Sequence, residues 1–109
     1  MNFECDRLFV YGALMDPLER RRLLGRSVSA IPARLPNYAR GRKRYFFVVP
    51  HQGSEVEGEI LHAIAASDFA ILDKYEDVPR LYTRALVEVT DQTGSVCRCW
   101  VYLPTGWER

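Results

Sequence analysis

The chain has 109 residues, of which 48% are hydrophobic and 27% are charged, and its formal net charge at pH 7 is +1. This length predicts a single domain, 1–109, that buries about 65% of the surface of the unfolded chain. The balanced charge gives no reason to expect a nucleic acid or a membrane surface as a partner. No apolar run reaches the ~18 residues of a membrane helix, and the first residues lack the pattern of a signal peptide, so we expect a cytoplasmic location.

The first predicted element is a strand over Leu8–Tyr11, because its residues are apolar, aromatic or β-branched. It ends at Gly12, and a helix start follows: Asp16 suits the N-cap, Pro17 the first helical position and Glu19 the capping box. A strand, a glycine turn and a helix N-terminus within about ten residues bring unpaired N–H groups together, a geometry that can hold an anion or a developing oxyanion. The alternative is an ordinary buried strand-to-helix turn.

The helix is predicted over Pro17–Leu24, with Gly25 as its C-terminal cap. Its three consecutive arginines, 20–22, suit the negative end of the helix dipole and are expected to be solvated. Ser27–Leu35 is predicted as an edge strand or a strand preceded by a bend, because Pro32 interrupts it.

Turns are predicted next, at Pro36, Asn37 and Gly41 and again at His51–Ser54, on either side of a strand over Tyr45–Val49. The basic run Arg40–Arg44 beside these aromatic residues permits binding of RNA or another polyanion, or steering of an acidic small substrate. A solvated loop is the simpler interpretation.

Residues Glu55–Ile64 alternate in hydropathy, which predicts a strand, and a helix is predicted from Ser67, its N-cap, to Tyr75. Its apolar arc comprises Phe69, Ile71, Leu72 and Tyr75, and the opposite side comprises Asp73, Lys74 and Asp77. Glu76 lies at the rim of the apolar arc. A partly buried carboxyl has a raised pKa, as a general base or acid near neutral pH requires. The alternative is a carboxylate that points to water or pairs with Arg80 or Arg84.

A hairpin is predicted at the end of the chain, from strands Tyr82–Thr90 and Val96–Leu103 around a turn at Asp91–Gly94. On its second strand, Trp100 and Tyr102 share one face, and Cys97, Cys99 and Val101 share the other.

An odd number of cysteines, Cys5, Cys97 and Cys99, favours free thiols in a reducing compartment. Only two histidines are present, both far from the cysteines in sequence. We therefore interpret the cysteines as core residues and predict no metal site.

Short segments, in chain order, resemble motifs of the γ-glutamylcyclotransferase-like proteins, which include the AIG2-like and γ-glutamylamine cyclotransferase branches. They are YGAL at Tyr11–Leu14, VEGEI at Val56–Ile60, LDKYEDVP at Leu72–Pro79, YTRALVEV at Tyr82–Val89 and WVYLP at Trp100–Pro104. The resemblance spans nearly the whole chain, and the ordered set is more specific than any single motif. Ala13 departs from the family, which commonly has Ser or Thr there.

This resemblance implies an α+β fold, a small mixed β-barrel with short helices packed outside it and a pocket at the barrel mouth. The site residues that it implies are Glu76 as the catalytic acid/base and, for substrate binding, Tyr11, Gly12, Ala13, Leu14, Tyr82 and Tyr102. The implied reaction is attack of a γ-glutamyl α-amine on its own γ-carbonyl, which releases 5-oxoproline and an amine or amino acid without a cofactor.

Two other hypotheses remain open at this point: a non-catalytic module that binds a small acid in the same pocket, and a polyanion-binding protein that uses Arg40–Arg44. The partner expected first is a small γ-glutamyl compound, and the sequence leaves open whether the protein is a monomer or a homodimer.

Overall fold

The computed structural model describes residues 5–42 and 46–105. In chain order the elements are β1 (Leu8–Val10), a 3₁₀ turn (Ala13–Met15), α1 (Pro17–Leu24), β2 (Ala30–Arg42), β3 (Phe46–Leu61), α2 (Ala66–Tyr75), β4 (Tyr82–Asp91) and β5 (Val96–Pro104). Within these residues, no helix is long and apolar enough to cross a membrane.

The strands close into a barrel in the order β1, β3, β2, β4, β5. All neighbouring strands are antiparallel except β1 and β5, which run parallel and pair at Leu8 and Trp100. The predicted mixed barrel with helices outside it is therefore confirmed.

Two hydrophobic clusters occupy the two faces of the barrel wall. The interior cluster includes Phe9 and Leu35, and the outer cluster, beneath the helices, includes Leu8, Val10 and Leu72. Because successive side chains of a strand point to opposite faces, β1 contributes to both clusters. A strand buried on both faces needs no polar residue, which explains its uninterrupted apolar sequence.

The predicted turns in the middle of the chain are wrong, because β2 and β3 form one long antiparallel pair through them. Pro36 and Gly41 lie inside β2, and His51–Ser54 lies inside β3. A register shift between Pro36 and Tyr38 absorbs the irregular residues as a β-bulge. At this bulge Asn37 adopts φ 66°, and its side chain accepts a hydrogen bond from the Gly53 N–H across the pair.

Two predicted boundaries are also corrected. The strand predicted to Ile64 ends at Leu61, and the strand predicted from Ser27 begins at Ala30 and passes through Pro32 without a break. Of the basic run Arg40–Arg44, which was predicted as a loop, residues 40–42 lie in β2, and residues 43 and 44 lie outside the described residues.

The second helix starts at Ala66 rather than after Ser67, because the Asp68 carboxylate accepts a hydrogen bond from the Ala65 N–H. Its predicted apolar arc is half right: Phe69 and Leu72 are buried, whereas Ile71 is 42% and Tyr75 40% exposed. Only one narrow side of this short helix faces the barrel. Besides Phe69 and Leu72, that side contains Asp73, which binds polar side chains of β4 and β5.

The final hairpin and the positions of its cysteines are confirmed. Cys99 is fully buried in the interior cluster, and Cys97 packs against that cluster. Tyr102 belongs to the outer cluster, and the partly buried Trp100 packs against it. All three cysteines are free thiols. Cys5 is only partly buried and belongs to neither cluster, so the prediction of a core position is wrong for this residue.

Gly58, the glycine of the VEGEI segment, is required by a close approach of β3 to β1. A Cβ added there would lie closer than van der Waals contact both to the carbonyl oxygen of Val10 and to the Phe9 ring, whose nearest atom would be 2.7 Å away. Because a backbone carbonyl in a paired strand has no room to move, only a residue without a Cβ permits this close approach of β1 and β3.

We expect Gly58→Ala to lower the free energy of unfolding by about 2–3 kcal/mol, the cost of overpacking in a rigid core. The matched control is Gly41→Ala, whose added Cβ would meet only the end of the Phe47 ring, a side chain that can rotate away. Urea unfolding of the two variants measures the difference. Equal losses would contradict the carbonyl clash.

Candidate functional site

A cavity of about 630 Å³ lies at one end of the barrel, between the 3₁₀ turn and the C-terminus of α2. It brings together all seven residues proposed from the sequence: Tyr11, Gly12, Ala13, Leu14, Glu76, Tyr82 and Tyr102. Its lining also contains residues that were not proposed: Phe9, Val10, Lys74, Tyr75, Asp77, Arg80 and Leu81. The first and last motifs of the chain thus meet at one site.

The turn after β1 lines this cavity with Gly12, Ala13 and Leu14. Its carbonyls are used internally: Met15 donates to the Gly12 oxygen at 2.9 Å and Asp16 to the Ala13 oxygen at 3.1 Å. The N–H groups of Gly12, Ala13 and Leu14 have no acceptor among residues 5–42 and 46–105. Unpaired donors at the rim of a cavity suit an anion or a carbonyl oxygen that gains negative charge.

The predicted N-cap, first helical residue and C-cap of α1 are confirmed, whereas the capping box predicted at Glu19 is not formed, because its carboxylate bonds to Arg22 and Tyr75 instead. The Asp16 side chain accepts from the Leu18 N–H at 2.9 Å, Pro17 is the first helical residue, and Gly25 ends the helix with φ 73°. Glu19 bonds to Arg22 at 2.6 Å and to the Tyr75 hydroxyl at 3.4 Å. Caps at both ends fix the short helix directly behind the turn.

Arg20 was expected to be solvated and is instead buried, with 6% of its surface exposed, while Leu18 on the same helix is 76% exposed. Its guanidinium donates to the carbonyl oxygens of Leu14 and Met15 at 3.0 and 3.1 Å and lies 3.5 Å from the Glu59 carboxylate. An arginine with several acceptors is stable inside a protein, which explains this inversion of the hydropathy pattern. No signal in the sequence separates Arg20 from the neighbouring arginines.

Glu76 is the C-cap residue of α2. The chain reverses immediately after it: Asp77 has φ 61°, its N–H donates to the Lys74 oxygen, and the Val78 N–H donates to the Asp73 oxygen. These two bonds form a Schellman motif, which fixes the end of the helix. The position of Glu76 at the cavity is therefore set by the backbone.

Burial raises the pKa of the Glu76 carboxyl to about 7. The negative end of the α2 dipole acts in the same direction, because it disfavours a carboxylate. The ion pairs considered for Glu76 are not formed: Arg80 pairs with Asp77, and Arg84 pairs with Asp73. Among the described residues no side chain donates a hydrogen bond to the Glu76 carboxylate.

Asp73 lies toward the barrel, not on the solvent side of α2 as predicted. The Tyr102 hydroxyl donates to its carboxylate at 2.7 Å, and the Arg84 guanidinium lies 3.0 Å from it. That guanidinium also stacks on the rings of Phe69 and Trp100, at 4.4 and 4.7 Å from their centroids. The aspartate of LDKYEDVP and the arginine of YTRALVEV are thus one ion pair, a link that the periodicity of α2 could not indicate.

The tyrosines of the site are held at defined places. The buried Tyr11 hydroxyl donates to the Tyr102 carbonyl oxygen at 2.9 Å. Burial raises the pKa of Tyr11 and Tyr102 far above the ordinary value of a phenol. Both phenols are therefore neutral hydrogen-bonding groups at physiological pH.

We expect the protein to lose stability as the pH rises from about 4.5 to about 7. The folded state holds a proton on Glu76 in this window and the unfolded state does not, so the free energy of unfolding falls by roughly 2–3 kcal/mol and is level above it. Urea unfolding at about pH 5 and about pH 8, for wild type and Glu76→Gln, measures this. If Glu76→Gln showed the same pH dependence of the free energy of unfolding as wild type, Glu76 would not be the titrating group.

Comparison with known proteins identifies the family of this chain. The model of the family described as "Gamma-glutamyl cyclotransferase, AIG2-like" matches residues 8–108. The chain belongs to the AIG2-like γ-glutamyl cyclotransferase family. Within the part of the chain that the structure describes, no group of three or more His, Cys, Asp or Glu side chains is arranged to hold a metal ion.

Individual proteins and solved structures that are similar to this chain support the family assignment. AIG2-like protein D of Arabidopsis thaliana is 31% identical over 100 residues, which are 88% of this chain and 65% of that protein. A solution structure of another Arabidopsis thaliana protein superposes with a TM-score of 0.83 at 25% identity, over 97% of this chain and 72% of that one. A structure named "Gamma-glutamyl cyclotransferase" superposes with a TM-score of 0.80 at 22% identity, over 95% and 69%, which shows the shared fold.

The chain is shorter than the AIG2-like relatives that it matches. It spans 65%, 48% and 58% of the lengths of AIG2-like proteins D, C and A of Arabidopsis thaliana.

Proposed function

We propose that this family member catalyses the cyclisation of a γ-glutamyl compound. The α-amine attacks the γ-carbonyl carbon, and the products are 5-oxoproline and an amine or amino acid. The observation that carries this proposal is the pairing, across one cavity, of a carboxyl with a pKa of about 7 and a turn with three unpaired N–H groups. One group moves protons and the other holds negative charge.

Binding comes first in the proposed mechanism. The N–H groups of Gly12, Ala13 and Leu14 bind the glutamyl portion, and Tyr11, Tyr82 and Tyr102 form the walls that keep it bent. Since nucleophile and electrophile belong to one molecule, holding the bent conformer supplies several kcal/mol of the rate enhancement. The substrate needs no covalent attachment to the enzyme.

Glu76 transfers the protons. The substrate ammonium starts with three protons, and its nitrogen keeps one in the lactam. The carboxylate form of Glu76 removes a proton so that the nitrogen can attack, and a tetrahedral intermediate forms. Collapse of this intermediate breaks the bond to the leaving nitrogen, which receives the two released protons and departs as an ammonium. A carboxyl with a pKa near 7 serves as base and then as acid near neutral pH.

Ala13 distinguishes this chain from relatives with Ser or Thr at that position. Its backbone N–H is kept and a side-chain hydroxyl is lost, so we propose that the change affects substrate choice or rate and leaves the binding turn in place. A non-catalytic protein that binds a small acid in this cavity is the alternative function, because the unpaired N–H groups alone suffice for that.

The test is incubation of the purified protein with γ-glutamyl amino acids, γ-glutamylamines and glutathione, followed by measurement of released 5-oxoproline. We expect turnover of at least one class. Thermal stabilisation by 5-oxoproline or glutamate without turnover of any compound would favour the binding protein. Absence of both would reject the site.

A further inference from the structure

Arg40, in β2, contacts the binding turn from outside the main cavity. Its Nη1 donates to the Tyr11 carbonyl oxygen at 2.9 Å. Arg40 does not line the Glu76 cavity; it lines a neighbouring groove of about 540 Å³ that shares Tyr11, Gly12 and Ala13 with that cavity. The arginine and the glutamate therefore approach the turn from different spaces.

The direction of each N–H in this turn follows from the carbonyl that precedes it. In a trans peptide the C=O and the next N–H point in opposite directions. The turn's own hydrogen bonds fix the Gly12 and Ala13 carbonyls, and thus the N–H groups of Ala13 and Leu14. The Tyr11 carbonyl differs from these two, because it accepts its hydrogen bond from the Arg40 side chain and not from the backbone of the turn.

We propose that Arg40 is a positioning residue that aims the Gly12 N–H into the cavity. By holding the Tyr11 carbonyl toward the groove, the guanidinium turns the following N–H toward the ligand. Arg20 completes this arrangement, since it holds the Leu14 and Met15 carbonyls at the other end of the turn. The three donor N–H groups then converge on one anionic ligand group. The identity of that ligand rests on the proposed function, whereas the geometry of the turn does not.

The experiment is binding of 5-oxoproline to Arg40→Met, Arg40→Lys and wild type, by calorimetry at low and high salt. We expect Arg40→Met to bind 5-oxoproline about ten-fold more weakly than wild type, a change that corresponds to the loss of one well-aligned hydrogen bond. Arg40→Lys should keep most of the wild-type affinity, because lysine can also donate to the Tyr11 carbonyl. The difference must persist at high salt, because an attraction between Arg40 and the acid through solvent would be screened. Loss that disappears at high salt, or unchanged binding by Arg40→Met, would overturn the proposal.

A second measurement separates this inference from the proposed function. The amide resonance of Gly12 in the ligand-free protein reports the orientation of the peptide and needs no substrate. We expect it to move in Arg40→Met and to stay in place in Arg34→Met, which removes an arginine of the same strand that pairs with Glu55. If wild type neither binds 5-oxoproline nor turns over any γ-glutamyl compound, the proposed function fails. A Gly12 resonance that does not move in Arg40→Met would reject the positioning role of Arg40, whatever the ligand.

Discussion

Replacement of Glu76 by glutamine is expected to lower kcat by a factor of about 10²–10⁴, the usual contribution of a general acid or base. Glutamine has nearly the same shape and cannot accept or return a proton, so the cavity stays intact while proton transfer is lost. In wild type, kcat/KM should rise with pH through the pKa of about 7, because the base form of Glu76 is required for attack. Release of 5-oxoproline over this pH range measures both effects.

The matched control for this variant is Glu57→Gln, an exposed carboxylate of β3 outside the cavity. We expect it to retain wild-type kcat and pH profile. Because Glu76→Gln also removes a carboxyl that is costly to ionise in place, its folded state should be at least as stable as wild type at neutral pH. Undiminished activity in Glu76→Gln would reject the proposed mechanism.

Arg20→Met is expected to lower the free energy of unfolding by about 2–4 kcal/mol, because a buried acceptor that loses its donor costs about 1–3 kcal/mol. Methionine matches much of the volume of the arginine stem, so the loss comes from polar groups. The Leu14, Met15 and Val28 carbonyls lose their donor, and Glu59 loses its cation. Urea unfolding measures the change in midpoint.

Arg21→Met is the control, because Arg21 is the next residue of the same helix and is exposed. We expect its free energy of unfolding to differ from wild type by less than about 0.5 kcal/mol, as for most surface substitutions. Similar losses in both variants would contradict the structural role of Arg20. Where Arg20→Met still folds, its affinity for 5-oxoproline should fall, because the end of the binding turn is no longer held.

The sequence by itself determined those parts of the protein that depend on local signals. Asp16, Pro17 and Gly25 defined α1, since capping depends on residues adjacent in the chain. The hairpin of β4 and β5 followed from alternation around a turn at Asp91–Gly94. Glu76 was singled out because a carboxylate at the rim of an apolar arc is unusual on a helix that packs against a core. The family resemblance then placed it opposite the Tyr11–Leu14 turn.

The tertiary structure decided what depends on partners distant in sequence. Proline and glycine in β2 and β3 are turn formers locally, yet the long pairing of the two strands and one bulge accommodate them. Asp73 and Arg20 are charged, and hydropathy placed them in solvent; each is held inward by acceptors or donors from other elements. A charged side chain is buried when the fold brings it enough partners, and no periodicity along one helix carries that information.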